Sequence, residues 1–374
     1  MVTMKEIARM AQVSQQAVSA ALNGTGRSRV SERTRERILR IARETHYMPN
    51  AASRILRGCK SSLIGFFHQD PYFGVYPDIV REFSGQLRQA GYDLLSSSAD
   101  LRTNEDEIQY AISAMECRRV DAVAVMCESP FPFPDFFHVP HVLIRTKDLF
   151  DISIDSGAGA RMAVEHLFSH GRRRIAYLNS SPRPKHSRVL AWKDEMKQAG
   201  LYDPALNLSV SALDGAGERL VRELIRIRAD GVVTHNDQIA AKLIVLLNDA
   251  GVRVPDDIAV IGYNGQFFCD FCRVPLATVL QPARQLACQA AKLLLERMES
   301  GTVNAPPAGI LLKPELRPSA SCGCAAPRPD PLDPVNTYNL LDSRDGFTAG
   351  GRKNGSPIMK RSSNGINISK QETI

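Results

Sequence analysis

The 374-residue sequence predicts a small all-α head followed by a two-lobed α/β core of doubly wound parallel sheets. Three observations carry the prediction. Residues 3–57 hold short amphipathic helical segments and no strand-like alternation. From residue 62, short apolar runs alternate with helical stretches, and that βα series starts again near residue 157. Charge divides at the same place: residues 1–60 carry 12 Lys+Arg against 4 Asp+Glu, a net of +8, whereas the whole chain is only +7. A compact cationic helical head on a nearly neutral body points to a nucleic-acid partner.

In the head, Thr3 with Glu6 predicts a capping box, and Ile7, Ala8 and Ala11 share one helical face. Gln12-Val13 turns the chain and Ser14 caps a second helix, whose apolar side is Ala17, Val18, Ala21 and Leu22. Gln15, Gln16, Ser19 and Asn23 lie on or near its other side, where side chains of a helix seated in a major groove reach bases or phosphates. Asn23-Gly24 ends that helix. Ser31 caps a third, with Ile38, Leu39, Ile41 and Ala42 as its core stripe. Arg33, Arg35, Arg37, Arg40 and Arg43 cover its remaining faces, and most of them read as a solvated surface. Two short helices joined by a tight turn form a helix-turn-helix.

In the body, Leu63–Phe67, Tyr92–Leu95, Val120–Met126, Val142–Ile144 and Ile152–Ile154 read as strands, with helices over 78–90 and 104–115. The second series has helices over 157–169, 188–199, 216–228 and 237–250. Its strands fall at Arg174–Leu178, near 208–211, at Gly231–Val233 and at Ile258–Ile261. Two such runs in tandem predict two lobes, with ligand chemistry at the carboxyl ends of the strands between them. Tyr72, Phe73 and Tyr76 follow the first strand, where they can stack on a ligand or pack under a loop.

The motifs together resemble the lactose-repressor (LacI) family. In the head the resemblance rests on Thr3 through Ala11, Val13-Ser14, Ala17-Val18-Ser19, Asn23, Val30-Ser31, Thr34-Arg35 and Tyr47-Met48-Pro49-Asn50. In the body it rests on His170 through Ala176, Ser187-Arg188, Asn236-Asp237 with Ala240, Arg253 through Tyr263, Gln281-Pro282 and Leu312 to Ser321. It spans about residues 3–322 and implies a periplasmic-binding-protein-like core. The domains it implies are a DNA-binding helix-turn-helix over 1–47, a hinge helix and linker over 48–60, an effector-binding and dimerisation body over 61–322, and a tail over 323–374 that reads as disordered.

Carried over residue by residue, the resemblance implies DNA contacts from Thr3, Ser14, Gln15, Gln16, Ser19, Asn23, Arg29, Ser31, Tyr47, Asn50 and Ser53, with Leu56 as a minor-groove wedge. Ala20 stands where the family often has a guanine-reading arginine, so direct readout shifts toward Gln15 and Gln16. Around an effector it implies Asp155, Arg188, Asn236, Asp237 and Asn264, joined by Tyr72 and Phe73. Arg188 suits a hydroxyl or carboxylate. Asn236 has an equally good reading as a plain helix cap. Neutral Asn264 replaces a common aspartate, so the ligand need not be the hydroxyl-rich sugar an acid grips.

The partners expected are double-stranded operator DNA, a small-molecule effector of the sugar or related metabolite class, and a second copy in a homodimer, in a bacterial cytoplasmic, nucleoid-associated setting. No cofactor is expected. The eight cysteines, including Cys269/Cys272 and Cys322/Cys324, read as reduced thiols with no metal, since no matching His cluster at zinc-finger spacing accompanies them. No run reaches a membrane span and no secretory signal opens the chain. A transport binding protein would fit the body but not the basic head. A sugar-acting enzyme would need two marked carboxylates, and neither Asp155 nor Asp237 is marked as an acid catalyst. The function expected is a sequence-specific, effector-controlled transcription repressor, not an enzyme.

Overall fold

The computed structural model describes residues 2–23, 30–47, 60–69, 74–99, 105–127, 138–145, 150–179, 186–209, 217–303 and 305–325. The head contains α1 (Met4–Met10), α2 (Gln15–Asn23) and α3 (Glu32–Glu44). The Thr3 N–H donates to Glu6 Oε2 at 2.8 Å while the Glu6 N–H donates to Thr3 Oγ1 at 3.3 Å, completing the capping box. Ser14 Oγ accepts from the Ala17 N–H at 3.1 Å and Ser31 Oγ from the Thr34 N–H at 3.3 Å, so each of the next helices also starts on a hydroxyl cap. Ile7, Ala8, Ala11, Val18, Ala21, Ile38 and Ala42 form the buried core, with Leu22, Ile41 and Tyr47 packed at its margin. Alanine at four of those seven positions lets the three short helices approach closely.

The first lobe is a six-stranded parallel sheet, ordered β11-β5-β4-β3-β1-β2. Its strands are β1 (Leu63–Gln69), β2 (Asp93–Ala99), β3 (Ala122–Met126), β4 (His141–Ile144), β5 (Ile152–Ile154) and β11 (Ile310–Leu312). Alternation along β1 splits its side chains between two cores. Ile64 and Phe66 meet Ile79, Phe83 and Leu87 of α4 (Tyr76–Gln89), whereas Phe67 meets Ala111 and Met115 of α5 (Glu105–Cys117).

The second lobe, ordered β12-β10-β9-β8-β6-β7, is parallel except for its edge strand β12. It comprises β6 (Ile175–Asn179), β7 (Asn207–Ser209), β8 (Gly231–Thr234), β9 (Ala259–Asn264), β10 (Ala277–Leu280) and β12 (Glu315–Arg317). Helices α6 (Ser156–Ser169), α7 (Ser187–Gln198), α8 (Gly217–Arg226) and α9 (Asp237–Asp249) cover it.

Two features depart from the tandem arrangement expected. Helix α10 (Ala283–Ser300) follows second-lobe strand β10, yet Leu286, Ala290 and Leu294 pack into the first lobe's core. Within Leu312 to Ser321, β12 joins the second lobe just after β11 closes the first. The chain therefore passes between lobes three times. Arg297 near the end of α10 locks the return: it forms a buried two-pronged ion pair with Asp151 at 2.6 and 2.8 Å and donates to the His141 carbonyl at 2.6 Å. Element boundaries otherwise fall within a few residues of those expected. The most consequential shift is β9, which runs past Ile261 to Asn264, where Asn264 pairs with Leu280.

Candidate functional site

The carboxyl ends of strands in both lobes converge on one constellation. After β4, the Arg145 guanidinium donates from Nη1 to Gln281 Oε1. Gln281 Nε2 in turn donates to Asn264 Oδ1 at 2.5 Å, at the end of β9. The Gln266 amide reaches from the second lobe to the Gly74 carbonyl of the first at 2.8 Å. Asn264 has φ +119 and sits against Gly74, where a Cβ would lie 2.8 Å from Asn264 Nδ2. A non-glycine residue held at such a φ is a strained backbone position of the kind concentrated in ligand sites.

Tyr263 is the centre of the group. Its hydroxyl donates to the Ser156 carbonyl at 3.1 Å, and the Arg188 guanidinium lies 3.7 Å from its ring centroid. Burial pushes the Tyr263 hydroxyl above its ordinary pKa; the charges of Arg188 and Arg145 act against that rise and Asp155 adds to it. All three charged groups therefore lie within electrostatic reach of one ring. Arg188, on the first turn of α7, is buried, and its Nη1 donates to the His235 carbonyl at 2.6 Å. Its Nε is also buried and has no hydrogen-bond partner, and among the described residues no carboxylate pairs with it. A guanidinium in that state carries a desolvation cost that only the Tyr263 ring and the His235 carbonyl offset. Asp155 caps α6, accepting from the Ala158 N–H at 2.8 Å, with Arg161 at 3.7 Å from its second oxygen.

Two residues expected at the effector have other work. Asp237 is fully buried; Thr278 Oγ1 donates to one carboxylate oxygen at 2.6 Å and the Gln266 N–H to the other at 2.8 Å. Burial drives its pKa up while those bonds pull it down. With both oxygens taken, Asp237 holds the turn after β9 in place instead of facing a ligand. Asn236 takes the capping role, accepting from the Ile239 N–H at 2.9 Å. Sequence reasoning overlooked Arg145 and Tyr263 as site residues and took Gln281 only as part of the Gln281-Pro282 motif. An arginine directly after Val142-Leu143-Ile144, at a parallel strand's carboxyl end, was the available signal.

In the head, Gln15 and Gln16 are exposed on the first turn of α2, and Ser19 is half-buried. Thr3, Ser14 and Ser31 are helix caps, Tyr47 packs on the head's core, and Asn23 closes α2. Arg29, Asn50, Ser53, Leu56, Tyr72 and Phe73 lie outside the described residues, as do the expected hinge helix and all but the first residues of the tail.

Residues 3–50 match the bacterial regulatory proteins of the lacI family, and residues 164–322 match the periplasmic binding protein-like domain. The chain joins a lacI-family helix-turn-helix to a periplasmic-binding-protein-like body. Among its relatives is the ribose operon repressor of Halalkalibacterium halodurans, 27% identical over 311 residues and covering 80% of this chain and 91% of that protein. The HTH-type transcriptional repressor PurR of Photobacterium profundum is 27% identical over 324 residues, covering 80% and 92%. The lac repressor dimer bound to operator and the anti-inducer ONPF has the same fold, with TM-score 0.73, 24% identity and coverage of 86% of this chain and 99% of that one. The matches place the chain among transcription regulators that join a helix-turn-helix head to an effector-binding body. No described helix is long and apolar enough to cross a membrane.

Proposed function

We propose that this LacI-family regulator represses transcription by gripping operator DNA as a homodimer, and that a hydroxylated metabolite bearing a carboxylate or phosphate alters the grip. The observation that carries the reading is Arg188: buried, stacked on Tyr263, with an unpartnered Nε and, among the described residues, no carboxylate paired with it. An anionic ligand group supplies the missing partner, and Asp155 beyond Tyr263 accepts hydroxyls. The relatives named as repressors support the direction of control. Gln15 and Gln16, exposed where a helix-turn-helix presents its base-reading side chains, support direct readout of the operator.

Coupling follows from the chain path. The site touches both lobes through Arg145, Gln281, Asn264 and Gln266, so a ligand that favours one lobe arrangement shifts the population toward it. Paired heads that fit DNA in only one spacing then feel that shift.

The test is a thermal-shift panel of sugars, sugar acids, sugar phosphates and purines against the purified chain, followed by operator binding with each hit. Acids and phosphates are expected to raise the melting temperature with dose, their neutral counterparts far less, and a hit to change operator affinity. Equal binding of a neutral sugar and its acid would remove the anionic assignment. A hit that leaves DNA affinity untouched would remove the regulatory one.

A further inference from the structure

We propose that His166, His170, Cys322 and Cys324 form a tetrahedral transition-metal site of the Zn2+ class that clasps the end of the second lobe onto helix α6. His166 and His170 are four apart, on the last turn and C-cap of α6, so their imidazoles share one face; the ring centroids are 4.7 Å apart. The two thiols arrive from Cys322-Gly323-Cys324, more than 150 residues later.

The distances suit an ion. Cys322 Sγ lies 3.2 Å from His166 Nε2, and Cys324 Sγ lies 3.6 Å from His166 Nε2 and 3.4 Å from His170 Nε2. Zinc bonds of about 2.0 Å to nitrogen and about 2.3 Å to sulfur leave tetrahedral N and S ligands about 3.5 Å apart. The ligand atoms of His166, His170 and Cys324 all fall within 4.8 Å of one another, and Cys322 Sγ approaches this trio at His166. The Cys322 thiol also donates to the Ser319 carbonyl at 3.0 Å, yet both sulfurs still converge on the single Nε2 of His166, which has one lone pair or one proton to offer. A cation at the centre uses every lone pair, and the two thiols release their protons to solvent, leaving a neutral Zn2+-dithiolate core.

The site is also built in advance. Ala163, Val164 and Leu167, on the adjoining side of α6, are buried in the second lobe's core. Ser321, beside Cys322, is buried and fixed by bonds from the Ala277 N–H at 2.8 Å and to the Val260 carbonyl at 2.6 Å. Gly323 has φ +97, and a Cβ there would stand 3.4 Å from the His170 ring, so glycine lets the two cysteines turn toward one point. The carboxyl end of a helix adds favourable negative potential. Two sulfurs with two imidazoles in tetrahedral array select zinc-like ions over magnesium or calcium. This overturns the expectation that the Cys322/Cys324 pair lacks histidine partners; the i, i+4 pair His166/His170 was the sequence signal.

The test is titration of the reduced, chelator-stripped full-length chain with Co2+ under anaerobic conditions. One equivalent is expected to bind with the intense visible bands of tetrahedral cobalt and sulfur-to-cobalt charge transfer, and Zn2+ is expected to bleach both. His170→Ala and Cys324→Ser, at solvent-accessible positions, should each weaken binding by more than the ~10–100-fold typical of lost outer-shell partners. Cys272→Ser should leave it unchanged. Melting curves in chelator confirm that the variants fold, and should either fail, the other decides. An octahedral cobalt spectrum without charge transfer, or unaltered affinity in His170→Ala or Cys324→Ser, overturns the site.

Discussion

Replacing Arg188 by methionine separates a ligand-binding arginine from a structural one. The change removes a guanidinium 3.7 Å from the Tyr263 centroid and a 2.6 Å bond to the His235 carbonyl. Those contacts are worth about 2 kcal/mol for a desolvated cation–π pair and about 1.5–3 kcal/mol for a charged hydrogen bond. Against them stands the several kcal/mol spent on burying a charge with no carboxylate partner among the described residues. The two sides nearly cancel, so the ligand-free melting temperature should move by only a few degrees, at roughly 2–4 °C per kcal/mol for a body of this size. With an anionic effector the balance breaks. Losing one partner of a buried charged pair costs about 2–5 kcal/mol, or roughly 30-fold to several thousand-fold in affinity. Differential scanning fluorimetry with and without the effector, beside anisotropy on an operator duplex, measures both arms. A large fall in ligand-free stability, or an effector shift kept at wild-type dose, would refute the assignment; operator affinity without effector should be unchanged.

Gln16→Ala should change base preference in a selection from random duplexes while the melting curve stays put, because the side chain is exposed. Leu56→Ala, on the wedge role implied by the family resemblance, should weaken operator binding far more than binding to random DNA in paired competition assays. Asp151→Asn leaves Arg297 buried without its carboxylate and should cost about 3–5 kcal/mol, read as a fall of roughly 10 °C in the body's melting temperature. Operator affinity should fall linearly on a log–log plot against salt, with a slope set by the phosphates the cationic head neutralises.

What was legible in the sequence is what depends on near neighbours. The Thr3–Glu6 box and the Ser14 and Ser31 caps close within three residues, so residue type alone reveals them. The runs that become β1, β3 and β9 are apolar throughout because helices cover both sheet faces. The α10 stripe of Leu286, Ala290 and Leu294 announces a buried face but not which sheet it meets, and β11 and β12 are three residues each, below any periodic signal. Within the site, Asp155 and Arg188 were recognisable by position in a familiar motif. The fate of Asp237 was not, since Thr278, 41 residues away, decides that its carboxylate is consumed internally. The Arg145–Gln281 link and the histidine–cysteine cluster span 136 and about 155 residues, so each half leaves a local pattern in the sequence but nothing there shows that the halves meet.

In the proposed mechanism the head reads a particular duplex and the body modulates how firmly it does so. Selection of the full-length chain on a random duplex library, with and without the metabolite found by thermal shift, tests it most directly. Enrichment of a two-fold symmetric site, with affinity changed by the metabolite, is the predicted result. Recovery of no sequence above a scrambled competitor in either condition would contradict it.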